Sequence, residues 1–166
     1  MTADEIKANL VSEVIQYLEN CEFVSDEDKE RIPRLTREID AQIINISEDA
    51  DRHMALVTEL AWVAGHYVVV AEAAETRTAR HAAGLKLHLR ESVEQLKQSG
   101  RKVQSVAEWV ADAKVAQDET YIKLKEDALQ KRRLSKFLTE LQYGLNQRSR
   151  LIDNMARERA KTGGWE

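Results

Sequence analysis

The sequence predicts an all-α protein: a long antiparallel helical hairpin, coiled-coil-like, with a short elbow helix and an acidic N-terminal helical unit. Three observations carry that prediction. Charged residues make up 33% of the chain and aromatic residues only 5%, with 6 glycines and 1 proline to punctuate strands and turns, a balance that suits long helices. Apolar residues recur at helical steps of three, four and seven, Leu134, Leu138, Leu141, Leu145 and Ile152 being the plainest case. Two such stretches, 52–100 and 118–161, are of similar length, about 45 residues or about 65 Å at 1.5 Å per residue. The short elbow between them implies that the second folds back along the first.

Taken in order, Thr2 to Glu5 has capping-box spacing and opens a helix that runs to about Glu19. Ile6, Leu10, Val14 and Leu18 share one face of it. Cys21, at its end, is the only cysteine, so no intrachain disulfide forms; this suits a reducing compartment and a packing role for the thiol. Ser25 starts a second segment with Asp26, Glu27 and Asp28 at a helix N-terminus, where acids are favourable. Pro33 is expected to interrupt or restart it. Leu35, Ile39, Ile43 and Ile46 continue an apolar stripe, and the link SEDADR is either a turn or unbroken helix. Residues 1–50 form an acidic N-terminal helical unit and 51–166 the long hairpin with its elbow.

In the second long helix, Leu60, Ala64, Tyr67, Ala71, Ala74, Thr78, His81, Leu85, Leu89, Val93 and Leu96 follow a near-heptad seam. Its middle is slim with alanine, and Gly65 and Gly84 each weaken it by about 1 kcal/mol relative to alanine. Val68, Val69 and Val70 read locally as a strand, but the flanking periodicity decides for helix. The run MALVTELAWVAGHYVVVAEAA is long enough to raise a membrane span; it carries Glu59 and His66 and continues as an amphipathic helix without a break, which argues against one. The start MTADEIKANL is charged and has no long apolar core, unlike a signal peptide. Gly100 ends the helix. Ser105 to Glu108 has capping-box spacing and opens the elbow helix VAEWVADAKVAQ, with Trp109 and Val110 as its docking residues. Asp118 starts the last helix, and the tail TGGWE is expected to fray.

Net charge is −4, but it is unevenly spread: residues 1–52 hold 14 acids and 6 bases, whereas 131–161 hold 9 bases and 3 acids. On the last helix Lys125, Arg132, Lys136, Tyr143, Arg150, Arg157 and Lys161 line the face opposite the leucine seam, and no carboxylate after Asp118 shares it. The ordinary explanation is a solvated outer face. Such faces usually mix signs and gain i,i+4 pairs; this one does not. Rows of bases bind phosphate chains through counterion release, and Tyr143 is the one aromatic on the row. Arg77, Arg80, Lys86, Arg90, Arg101, Lys102, Lys131 and Arg133 add bases elsewhere. No glycine-rich phosphate loop, metal-ligand motif or nucleophile elbow is present, so neither an enzyme nor a cofactor is expected. His81 and His88, seven apart or about 10 Å along a helix, are too distant to share a metal in one chain. They read as polar seam residues.

The region from about Arg52 to Lys161 resembles the phage recombination mediator family, the UvsY-like proteins. The resemblance rests on LAWVAGHYVVVAEAAETRTARHA, LKLHLRES, the elbow GRKVQSVAEWVADAKVAQDETYIKLKEDA, and LTELQYGLNQRSRLIDNM. It covers about two thirds of the chain and leaves residues 1–50 unmatched. It implies a non-enzymatic, homo-oligomeric, ring-forming protein of phage recombination. Such proteins bind single-stranded DNA and help a RecA-like recombinase displace single-strand-binding protein in the host cytoplasm, with no membrane attachment. On that reading Lys125, Arg132, Arg133, Lys136, Arg148, Arg150 and Arg157 contact phosphates and Tyr143 stacks on a base. The acidic residues 1–50 would hold a basic partner or shield the row. The alternative is a structural coiled-coil adaptor or scaffold protein without DNA binding.

Overall fold

The computed structural model describes residues 3–38, 46–102 and 104–161, with side chains described from 11 and from 50 onward in the first two spans. Thr2, Ile39, Ile43 and Trp165, and the side chains of Ile6, Leu10 and Ile46, lie outside this description. Five helices and no strand occur among the described residues: α1 (Ala3–Glu19), α2 (Asp26–Glu38), α3 (Ile46–Gln98), α4 (Glu108–Gln117) and α5 (Glu119–Lys161). The protein is all-α, built on paired long helices. It divides into two compact units: unit 1 is Met1–His66 with Lys136–Glu166, and unit 2 is Tyr67–Ser135. α3 and α5 therefore each contribute to both. These packing units cut the chain elsewhere than the charge boundary at residue 50, which is a boundary of composition.

Several local expectations change. SEDADR is helix, because α3 begins at Ile46; at 53 residues α3 is longer than the 43 of α5, so the two are not matched in length. Pro33 does not break α2 but sits inside it, buried. A proline there forfeits the bond to the carbonyl four residues back. Around it Ile32 and Leu35 are wholly buried, and the Thr36 hydroxyl donates to the Ile32 carbonyl at 2.8 Å. Packing against α1 holds the helix through the proline.

Unit 1 has a core of large aliphatics. Leu18, Cys21 and Val24, from α1 and the turn after it, are buried, as are Ile32 and Leu35 of α2, which packs on α1. Leu56, Leu60 and Val63 of α3 are buried, as are Leu138, Leu145 and Ile152 of α5. Burial raises the Cys21 thiol above its usual pKa, keeping it protonated and inert. Ser25 caps α2, its Oγ accepting from the Asp28 amide at 3.2 Å. Arg31 and Arg34 of α2 both pair with Glu59 of α3, Arg31 at 3.1 Å, and Arg52 pairs with Glu38 at 3.2 Å. Arg31 also lies 5.7 Å from the Trp62 ring centroid.

Unit 2 is slimmer. Its buried side chains are mostly small: Ala71, Ala74, Ala111, Val115, Ala128 and Thr78, with Tyr67 and Leu134 the large exceptions. The α3 segment from Val68 to Val70 is helical, as its flanks require. Gly100, at φ +83°, closes α3 with its amide bonded to the Lys97 carbonyl at 3.0 Å and that of Arg101 to Leu96 at 3.2 Å, a Schellman arrangement. The elbow helix starts at Glu108 rather than Val106. Ala107 is its N-cap with no side-chain bond, so Ser105 does not cap it. Trp109 is 74% exposed, and Ala111 and Val115 dock in its place. Lys86 and Arg90 of α3 reach Glu108 at 2.9 and 2.7 Å, which explains how a short, poorly capped helix is held.

Candidate nucleic-acid interface

In unit 1 the α5 segment shows the two faces its sequence implies. Leu138, Leu145 and Ile152 are at most 3% exposed. A half turn round the helix, the Lys136 side chain is 78% and Tyr143 66% exposed, and Arg150 and Arg157 are exposed too. Contrary to the expectation that this row makes no i,i+4 pairs, Glu140 reaches in from the side of the helix to 3.8 Å from Lys136, four residues away, and Glu158 lies 2.8 Å from Lys161. Contacts between such exposed pairs contribute little, so these bases remain available to a stronger anion. Arg148 is not on this face. It is half-buried and close enough to His53 to act on its charge.

In unit 2, Lys125, Arg132 and Arg133 are exposed on α5. The row is not free of counter-charge there, because the acid comes from the neighbouring helix: Glu75 of α3 holds Arg132 at 3.0 Å. No pattern within α5 could reveal it. Lys86 and Arg90 are spent on α4, since Glu108 is held below the usual carboxylate range by its bonds to Lys86 and Arg90. One aromatic was missed. Tyr121 lies one helical turn before Lys125, whose ammonium is 5.9 Å from its ring centroid. The same helical wheel that groups Lys125 with Tyr143 groups Tyr121 with them, so the signal was present.

Beside these residues, still in unit 2, α3 and α5 leave a groove of about 300 Å³. Ala79, Ala82, Ala128, Leu129 and Thr78 line it, with Tyr121 beside them and the exposed Lys125, Arg132 and Glu75 at its rim. The groove exists because alanines face each other there and fill little space. The Thr78 hydroxyl lies 2.9 Å from the Ala74 carbonyl and 3.1 Å from that of Leu124, tying the helices together.

The histidines have separate duties. His53 is buried, and its Nε2–H donates to the Leu145 carbonyl at 2.8 Å, while Nδ1 has no partner. Burial holds its pKa below the ordinary 6.5, so the ring is kept neutral. His66 stacks on Trp62 with centroids 6.1 Å apart. His81 bonds to Asp118 at 2.8 Å, and His88 is exposed. Among the described residues no three His, Cys, Asp or Glu side chains come together as a metal site.

One stretch of α3 within 50–98 is long and apolar enough, by length and composition, to cross a membrane, a test that core helices of soluble proteins also pass. The class that fold and site define is an all-α protein of paired long helices with bases on the open face of α5. No protein-family model, curated protein or solved structure matches the chain.

Proposed function

We propose that the chain is a homo-oligomeric single-stranded-DNA-binding recombination mediator, which helps load a RecA-like recombinase onto DNA covered by single-strand-binding protein. The observation that supports it most is the exposure of Lys136, Tyr143, Arg150 and Arg157 opposite a seam in which Leu134, Leu138, Leu145 and Ile152 are buried and Leu141 half-buried. Bases held on a rigid helix bind phosphates without paying to order a loop, and an aromatic among them suits unpaired bases. The resemblance to the UvsY-like proteins supplies the recombination context, the ring and the partner proteins. Exposed Met54, Trp62, Leu151 and Met155 in unit 1 supply apolar surface for association of copies.

The test is a titration of the Arg132→Ala/Lys136→Ala/Arg150→Ala variant with single-stranded DNA across a salt series. Three lost phosphate contacts lower the log–log salt slope by about 2. An unchanged slope and affinity would remove the α5 bases from the mechanism. The second reading, a structural coiled-coil adaptor, draws support from the same apolar surface and from the Glu75–Arg132 pair. It requires that no single strand bind at low salt and that pull-downs recover virion proteins.

A further inference from the structure

We propose that the groove between α3 and α5 in unit 2 is a subsite for one nucleobase of a bound single strand, with Lys125 and Arg132 taking the phosphates that flank it. The proposal rests on the single-strand reading above and adds to it a place where a base leaves solvent.

Four features point to this occupant. The groove of about 300 Å³ is at the small end of ligand pockets, so it takes a ring system and not a folded segment. Ala79, Ala82, Ala128 and Leu129 line it with apolar surface, and the half-buried Tyr121 ring adds a π surface. Base–aromatic contacts of this kind tolerate any sequence. Thr78 also lines it. The Thr78 hydroxyl proton is committed to main-chain carbonyls, which leaves the oxygen as an acceptor for a base N–H. Its rim carries two cations and one carboxylate: Lys125 beside the Tyr121 ring, Arg132, 71% exposed at the side chain, and Glu75. A mostly apolar slot containing Thr78, with two cations and the single Glu75 carboxylate at its mouth, keeps a net positive edge and matches the division of a nucleotide into base and phosphate. Glu75, 3.0 Å from Arg132, holds that guanidinium at the rim until a phosphate displaces it.

The experiment uses the full chain and a thymine oligonucleotide carrying one 2-aminopurine. Fluorescence reports burial of the base, and a salt series reports phosphate contacts. Two variants address the groove: Tyr121→Leu removes the π surface, and Ala79→Phe fills the mouth from an exposed position. Circular dichroism checks that both stay helical. The wild-type chain is expected to change the 2-aminopurine signal on binding. Each variant loses most of that change and about ten-fold in affinity, with the salt slope unaltered. If both variants bind as tightly as wild type with the same fluorescence change, the subsite is wrong and the single-strand reading stands. If the wild-type chain binds no strand at low salt, both fall together. Deoxyadenosine monophosphate is the second probe, and saturation at strand-like affinity would overturn the assignment to a strand. A changed oligomeric state with unchanged strand binding would make the groove a contact between copies, and that too overturns it.

Discussion

Unit 1 and unit 2 draw on the same two helices but hold them together differently. In unit 1, α3 and α5 meet through leucine, isoleucine and valine, and α2 adds a further layer of large side chains. In unit 2 the facing residues are mainly alanine, and burial per contact is small. What replaces it is polar and local: the Thr78 hydroxyl on the Leu124 carbonyl, the Asp118 cap with His81, and the ion pairs of Lys86 and Arg90 with α4. A thin core leaves a groove, and the groove carries the proposed base subsite. The stable part and the receptive part of the molecule differ because one position after another is leucine in the first and alanine in the second.

The largest expected difference between the units is in core truncation. Leu145→Ala removes a wholly buried side chain from unit 1 and is expected to destabilise it by about 3 kcal/mol. Ala74→Gly in unit 2 has almost no volume to lose and should cost about 1 kcal/mol, mostly through helix propensity. Denaturant unfolding of both variants checks the pair. Equal losses would mean that the alanine seam is as heavily relied upon as the leucine one.

Next in size is His53, the buried polar link of unit 1. His53→Ala leaves a cavity and strips the bond to the Leu145 carbonyl, at about 2 kcal/mol. Its pH signature has a definite sign. The folded ring resists the proton that the unfolded chain accepts near 6.5, so the unfolded state binds more protons and stability rises with pH up to about 6.5, then levels. His53→Gln keeps a donor for Leu145 and should remove that slope from melting temperatures taken between pH 5 and 8. A slope that survives would assign the titration to another group.

A smaller effect belongs to the end of α3 in unit 2. Gly100 sits at φ +83° with open space around its Cα, so Gly100→Ala meets no clash and its cost is backbone strain alone, about 1 kcal/mol. Alanine at Gly84, also with nothing within 4 Å, should instead stabilise by about 1 kcal/mol. Opposite signs from one substitution, read by thermal melts, would separate conformation from packing.

These contrasts show what could be read from the residues alone. The α3 seam from Leu60 to Thr78 is buried as its period demands, because a repeat near 3.6 allows one inward face only. Beyond His81 the same repeat persists but burial fades, with Leu85, Leu89 and Val93 half-buried and Leu96 exposed. Periodicity reports a face and not what covers it. The Ser105–Glu108 spacing was right for a cap, yet the backbone places the N-cap at Ala107. The groove was invisible because it opens where Ala79, Ala82 and Ala128 of two distant stretches come together and are too small to fill the space. Glu75 was hidden because its partner, Arg132, lies 57 residues away. Tyr121 could have been found, one turn before Lys125.

The finest test of the contrast concerns the start of α5. One oxygen of Asp118 accepts both the Tyr121 amide, at 2.7 Å, and His81 of α3, at 2.8 Å, so a helix cap and a link between helices share an atom. The bond to His81, then that to Tyr121, holds the carboxyl below its usual range. The contribution is therefore present above about pH 3.8, the ordinary value, and is lost as pH falls through the depressed one. Asp118→Ala removes both roles, and amide exchange at Tyr121 and Ile122 should quicken several-fold with unit 1 unaffected. Asp118→Asn keeps an oxygen for the amide and loses the charge, so exchange at Tyr121 should change less while acid sensitivity disappears. If both variants quicken exchange alike, the charge and not the cap anchors the helix. If exchange in unit 1 quickens as well, the units do not open separately, and the division of labour between leucine and alanine fails.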